Sequence, residues 1–281
     1  MDNGLLAMLG RRHDAAEAAE ALARCRNAGF DNVNLDLMYG LPQQDIAQWR
    51  DTVAQVIALA PEHLSLYSLT LEEGTPLLRW VEQGRLPEPD PDLAADMYDH
   101  ARAALADAGY RHYEISNWSR YGLESEHNLA YWRNLEWIGV GPGAHSSLRV
   151  GDARSAGCRF WTVRSPRDYA KRAGAWATAA RRWASVSADG IRSVPTVDDL
   201  EVIDEATAAA ETMFLGLRLL EGMDLSAAST HIGIDLAARY EGELAELTAE
   251  GLLVWETDGR LRLAEEAYLV ANQVFTRFLV E

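Results

Sequence analysis

Hydrophobic spacing changes period repeatedly along the chain. Ala15, Ala18, Ala19, Leu22 and Cys25 fall on one helical stripe, opened by the reciprocal capping pair Asp14 and Glu17 and closed by Gly29. That spacing predicts a helix over 15–28. Val33, Leu35 and Leu37 then alternate with Asn34, Asp36 and Met38, the period of two that marks a strand, and Tyr39-Gly40-Leu41-Pro42 punctuates its end. Asp45 and Gln48 cap a second helix whose Ile46, Trp49, Val53 and Val56 share a face, and Pro61 stops it. A second strand is expected over 63–70. Strand, helix, strand is the βαβ signature of a parallel α/β sheet or barrel, with too few strands here to close one.

Further along, a short helix is expected to end near Gly84. The proline-spaced linker Pro87, Pro89 and Pro91 leads into a helix to about Asp107, and 112–115 reads as a strand. Thr196 is expected to open a long helix through Leu219. The remainder alternates a helix over about 234–249, two short strands around Thr257-Asp258-Gly259, and a final helix over about 266–279. That order resembles a winged helix. Three regions are therefore expected: an α/β part over 1–150, a basic connecting segment over 151–195, and a small α+β C-terminal domain over 196–281.

Charge limits what the winged-helix pattern can mean. The net charge is −17, and 234–250 carries Asp235, Glu241, Glu243, Glu246 and Glu250 against Arg239 alone, so a phosphate backbone would be repelled. A packing module without nucleic-acid binding is the expectation. The exception to the acidic balance is Arg149 to Arg172, where Arg149, Arg154, Arg159, Arg164, Arg167, Lys171 and Arg172 face only Asp152 and Asp168, a local +5. It reads either as a solvated surface or as a dock for a carboxylate-bearing ligand. Only Cys25 and Cys158 are present, which excludes a disulfide framework or a cysteine-based zinc or iron–sulfur site built from these residues and fits a reducing, cytoplasmic setting. Cys25 lies between Arg24 and Arg26, which could activate it, but it also belongs to the packed helical stripe. No apolar run approaches the roughly 20 residues of a transmembrane helix, and no signal-peptide pattern opens the chain.

Candidate chemistry concentrates in two places. Asp36 lies on the polar alternation of its strand, which directs the carboxylate toward a barrel lumen, where carboxylates accept hydrogen bonds from ribose hydroxyls; capping of the following turn is the plainer alternative. Arg11 and Arg12 precede the first helix and could clamp a ligand carboxylate at the same mouth. The second place is Glu126 to Ser147, with two histidines, two tryptophans, a tyrosine and the run Gly139-Val140-Gly141-Pro142-Gly143 in twenty-two positions. The composition suits a large, flat, partly apolar ligand. The glycines are not a dinucleotide loop, because the spacing departs from Gly-x-Gly-x-x-Gly and no capped helix follows; a strand end that admits a ligand or another backbone fits better. His127 and His145 are too far apart for a helical metal pair and lack the companions of a zinc motif. Tyr131 follows His127, and Trp132 follows Asn128, each by four residues, so each pair shares a helical face.

Taken in order, Asn34-Leu35-Asp36-Leu37-Met38-Tyr39-Gly40-Leu41-Pro42, Tyr113-Glu114-Ile115-Ser116-Asn117, His127-Asn128-Leu129-Ala130-Tyr131-Trp132 and Gly139-Val140-Gly141-Pro142-Gly143-Ala144-His145-Ser146 resemble the HemW family. These are haem chaperones of the radical S-adenosylmethionine (SAM) group, related to oxygen-independent coproporphyrinogen III oxidases. The resemblance runs over essentially the whole chain. It implies a partial radical SAM (β/α) barrel followed by a winged-helix-like C-terminal domain. It also implies that Arg11 holds the methionine carboxylate of SAM, Asp36 its ribose, and Thr70 passes the adenine. The His-Asn-x-x-Tyr-Trp element, with His127, Asn128, Tyr131 and Trp132, is linked in the family to haem binding, with His145 as a second candidate ligand. Haem is then the cargo, acceptor haem proteins are the partners, and a homodimer is an option.

The family's leading segments are not among these residues: a Cys-x3-Cys-x2-Cys motif, a Gly-Gly-Gly-Thr-Pro loop, a glutamate-bearing strand and a Val-Gln-Ser strand end. The expectation is a truncated product or a start codon placed too late, without a [4Fe–4S] cluster and with SAM binding in doubt. Three functions compete on these terms. They are a haem chaperone that is not itself an enzyme, a radical enzyme acting on a porphyrinogen, and a non-functional remnant whose open parallel sheet exposes its edges.

Overall fold

The computed structural model of the protein describes residues 2–150, 157–177 and 187–279. Asp152 and Arg154 of the basic run lie outside the described residues. The chain forms two compact units, Met1–Ser125 and Glu126–Glu281, so the region expected over 1–150 straddles the division.

The first unit begins with helices α1 (Asn3–Met8) and α2 (Ala15–Asn27), the latter with both hydrogen bonds of the Asp14/Glu17 capping box formed. Strand β1 (Asn34–Tyr39) leads to α3 (Ile46–Leu59), opened by a second complete capping box from Asp45 and Gln48. Strand β2 (His63–Ser68) then returns parallel to β1, with Asp36 opposite Ser65. Helices α4 (Pro76–Glu82) and α5 (Pro91–Asp107) follow, and both carry proline in the first turn, where no hydrogen-bond donor is needed.

Strands β3 (Arg111–Glu114) and β4 (Asn117–Ser119) complete a four-stranded sheet in the order β1-β2-β4-β3. Both new pairings are antiparallel, so the sheet expected to be parallel is mixed. Only Ile115 and Ser116 separate β3 from β4, a connection long enough for a hairpin and far too short for a parallel crossover. Leu64, Leu66 and Trp118 are fully buried on the helix-facing side, together with Trp49, Val53 and Val56 of α3. Each large apolar side chain so buried contributes about 1.5–3 kcal/mol. The Trp49 indole also donates to the Met97 carbonyl at 2.6 Å, tying α3 to α5.

The second unit holds α6 (Glu126–Trp132) and an antiparallel sheet β5-β6-β7 (His145–Leu148, Gly157–Thr162, Val197–Ile203). One face of that sheet packs Val150, Cys158, Phe160 and Leu200 with Ile191 of α8 (Ala188–Arg192). The stretch read as a connector over 151–195 thus supplies the central strand β6, along with α7 (Pro166–Ala177) and α8. The helix expected over 196–219 is instead β7 followed by α9 (Glu205–Gly216). The physical reason is visible in the burial of β7. Val197, Leu200 and Ile203 are its sheltered residues, a spacing of three that imitates a helix: a register shift opposite Trp161 and Thr162 separates Val197 from Leu200, while Leu200 and Ile203 are buried on opposite faces of the strand.

The C-terminal part consists of α10 (Leu225–Ile232), α11 (Leu236–Arg239), α12 (Glu241–Ala249), the hairpin β8/β9 (Leu253–Trp255, Leu261–Leu263), a 3-10 helix (Glu265–Val270) and α13 (Ala271–Thr276). The winged-helix order is present. However, the single helix expected over 234–249 breaks at the buried Tyr240, and a 3-10 segment opens the last helix. Among the described residues no helix is long and apolar enough to cross a membrane.

Candidate functional site

In the first unit, β1 sends Leu37 and Tyr39 into the core and leaves Asp36 exposed on the opposite face, as the alternation predicts. Asp36 stands in the middle of its strand, and one of its oxygens accepts from Asn34 Nδ2 at 2.7 Å. Arg11, exposed after α1, directs its guanidinium to Met38 Sδ at 3.8 Å, two residues along the same strand face. Arg11 and Asp36 therefore lie on the same face of β1. Thr70 is exposed just beyond β2, and no hydrogen bond connects it to either residue.

Behind Asp36 a chain of hydrogen bonds that periodicity alone does not show runs inward from the exposed Asn34. Asn34 Oδ1 faces His63 Nδ1 at 2.7 Å, and His63 Nε2 faces the Tyr113 hydroxyl at 2.7 Å. Because an amide oxygen only accepts, His63 donates from Nδ1, and in the neutral ring of that tautomer Nε2 accepts from the Tyr113 hydroxyl. Burial pushes the His63 pKa down, with the charges of Asp36 and Glu124 opposing, in keeping with that tautomer. Cross-strand pairing continues the polar face through Ser65, Asn117 and the buried Glu114. Asn117 Oδ1 and Ser119 Oγ are buried on this face without a hydrogen-bond partner. Such orphaned atoms mark a face that suits a polar ligand or ordered water.

In the second unit the His-Asn-x-x-Tyr-Trp helix divides its residues between two sides. The exposed His127 meets Tyr131 edge-on with ring centres 4.8 Å apart, and Tyr131 meets Trp137 at 5.0 Å. Trp132 lies under the Arg218 guanidinium at 4.3 Å, its indole N–H buried without a partner. Asn128 is on the Trp132 side by helical spacing. Trp137 pairs across to Ser147, and His145 pairs with Trp161, their rings 5.6 Å apart. Opposed residues share a face in antiparallel pairing, so Trp137, His145 and Trp161 stand on the side of the sheet away from its core. Arg159, on the same side, is held by Glu211 of α9 at 2.8 Å. The His145 and Trp161 end is left open.

The glycine run is a close backbone approach, as its composition suggests. A Cβ on Gly139 would lie 2.0 Å from the His145 carbonyl oxygen, and Gly141 and Gly143 have positive φ of 118° and 71°. Sequence reading singled out His127, Tyr131 and His145 but not Trp137 or Trp161 as site residues. Trp161 could be found only from strand pairing, since its partner His145 is sixteen positions away.

Comparisons with known proteins decide the family. The family model of the HemN C-terminal domain matches residues 203–270. The heme chaperone HemW of Lactococcus lactis subsp. lactis is 31% identical over 282 residues, covering 100% of this chain and 67% of that protein. The chain belongs to the HemW family. The HemW of Bacillus subtilis is 30% identical over 280 residues, again with 67% of its length covered. The mitochondrial radical S-adenosyl methionine domain-containing protein 1 of mouse is 35% identical, with 99% of this chain and 60% of that protein covered. The chain thus spans about three-fifths to two-thirds of the length of these relatives. Its fold is that of coproporphyrinogen III oxidase (HemN) from Escherichia coli, with a TM-score of 0.70 at 18% identity over 99% of this chain and 62% of that one.

Within this HemW-family chain, the chemistry of Arg11 suits a ligand carboxylate and that of Asp36 suits ribose hydroxyls, the two ends that SAM presents. A cluster site does not fit these residues. Cys25 on α2 and Cys158 on β6 belong to different units, and no group of three or more His, Cys, Asp or Glu is placed to hold a metal among the described residues.

Proposed function

We propose that this chain binds haem on the aromatic face of its second unit and passes it to acceptor haem proteins, without catalysing a reaction on the porphyrin. The observation that carries this reading is the run of rings His127, Tyr131 and Trp137, together with the open His145 and Trp161 pair, on the non-core side of β5 and β6. The names of the HemW relatives support it. Each aromatic face can stack on a macrocycle for about 0.5–1.5 kcal/mol, and an exposed imidazole on a short helix can ligate iron without a buried cage. An open site suits a carrier, because release needs no unfolding of a closed pocket. In the first unit, Arg11 would bind the methionine carboxylate and Asp36 the ribose of SAM.

Haem titration of the purified chain tests the reading. A Soret band that develops with haem and is lost or shifted in His127→Ala is expected, with the far-ultraviolet circular dichroism unchanged. No haem-dependent band, or one indifferent to both His127→Ala and His145→Ala, overturns the site.

A further inference from the structure

The carboxylate of Asp36 is engaged on one side only. Asn34 Nδ2 donates to one of its oxygens at 2.7 Å, and among the described residues no hydrogen bond or ion pair reaches the other. That contact sets the direction of the rest. A carboxylate only accepts, so the Asn34 amide turns its nitrogen to Asp36 and its oxygen inward. There Oδ1 meets two groups of the neighbouring strand that can donate to it, His63 Nδ1 at 2.7 Å and Ser65 Oγ at 3.2 Å. Parallel register supplies both, since β2 sets His63 opposite Asn34 and Ser65 opposite Asp36.

Behind His63 the series continues in the same sense. Its Nε2 accepts from the Tyr113 hydroxyl at 2.7 Å, and the Tyr113 oxygen accepts from the Ser125 N–H at 3.4 Å. Every hydrogen bond from Ser125 to Asp36 thus donates toward the carboxylate. Hydrogen bonds aligned in this way polarise one another and strengthen the last, charge-assisted one. Asn34 is exposed, and an exposed asparagine amide ordinarily turns over a broad range of χ2. His63 and Ser65 are buried, so their hold on Oδ1 is sheltered from water and removes that freedom.

We infer that Asn34, with His63 and Tyr113 behind it, is the positioning residue that presents Asp36 to the vicinal hydroxyls of a nucleoside ribose. This rests on the reading of Asp36 as the ribose ligand and adds to it the residues that set its orientation. One oxygen is tethered to the sheet, and the other is left to accept from the diol. The same hydrogen bonds join β1 to β2, so a loss of stability alone does not reveal the role. A preference for the diol does.

Nuclear magnetic resonance titration of the purified chain with adenosine and with 2′,3′-dideoxyadenosine, which keeps the base but lacks both hydroxyls, measures that preference. The unaltered chain should bind adenosine about tenfold more tightly, the worth of one hydrogen bond to a charged group. Asp36→Ala should abolish the preference. Asn34→Ala, and His63→Phe, which keeps a planar ring but no donor, should also lose it while binding dideoxyadenosine as the unaltered chain does. His63→Asn, whose amide nitrogen stands near the place of Nδ1, should restore it. Retained dideoxyadenosine binding shows that the fold is intact, and if His63→Phe binds neither nucleoside, Asn34→Ala decides. A preference lost in Asp36→Ala but kept in Asn34→Ala or in a folded His63→Phe overturns the positioning role alone, as does failure of His63→Asn to restore it. Equal affinity of the unaltered chain for the two nucleosides, or a preference indifferent to Asp36→Ala, overturns the ribose reading and the positioning role with it.

Discussion

His112 makes the first unit sensitive to acid by a calculable amount. Its ring stacks on Trp118 at 3.9 Å, nearly parallel, and its Nε2 meets the Ile115 carbonyl at 3.2 Å. Burial pushes its pKa from 6.5 down to about 3, with the backbone hydrogen bond to Ile115 only partly opposing. The folded-state value lies below the unfolded one, so between pH 3 and 6.5 the unfolded chain binds more protons and stability falls as pH falls. The contribution is intact above pH 6.5. From pH 7 to pH 5 the loss is roughly 1.5 pH units at 1.36 kcal/mol each, or about 2 kcal/mol, and it stops growing below pH 3. His112→Gln keeps an amide donor for the Ile115 carbonyl and removes the titration. Urea unfolding followed by tryptophan fluorescence at pH 7 and pH 5 should therefore show a pH-dependent loss about 2 kcal/mol smaller in the variant. His63 also titrates below its usual range and acts in the same direction in both proteins, so the difference isolates His112. Equal pH dependence in the two proteins, or a folded-state histidine resonance titrating near 6.5 at this site, would refute the reasoning.

Two further outcomes are expected. Gly139→Ala forces a methyl group against the His145 carbonyl and must displace the strand that carries His145. It should lower the melting temperature and weaken haem binding, whereas Gly174→Ala, where a Cβ meets open space, should do neither. Arg26→Met removes the 2.7 Å ion pair to Glu62. Burial by itself would raise the Glu62 carboxyl, but the Arg26 guanidinium and the Val33 N–H outweigh it and hold the pKa below 4.5. The pair therefore stabilises above about pH 4.5 and is lost as pH falls. The variant should lose about 1 kcal/mol at neutral pH, measured by urea titration, and begin acid unfolding at higher pH. No change in either quantity counts against the pair.

Much of the first unit was legible because its signals are local. The capping boxes at Asp14 and Asp45, the alternation through Asp36, and the prolines that open α4 and α5 each act within one turn or strand. The hydrogen bonds of such a cap depend on residues three apart and on little else. Strands joined across long intervals were less legible. β7 was read as helix because its sheltered residues, divided between the two faces of the strand, recur every third position, and β4 was missed because three residues carry too little pattern. The motif histidines and Tyr131 could be nominated from spacing, but Trp132, nominated with them, turns beneath Arg218.

By itself the sequence determined the two kinds of chemistry available. It offers a carboxylate on a polar strand face, an aromatic and histidine-rich segment, a local excess of cations and too few thiols for a cluster. Only the tertiary structure decided which of these residues act together. Cross-strand register set Trp161 beside His145, and the glycine run brought α7 to the same loop. A hydrogen bond to the His231 carbonyl engages Arg149, and ion pairs to Glu211 and Glu201 engage Arg159. Composition fixes which interactions are possible. Partner choice among them depends on pairing between residues distant in the chain, where register and steric fit leave no local trace.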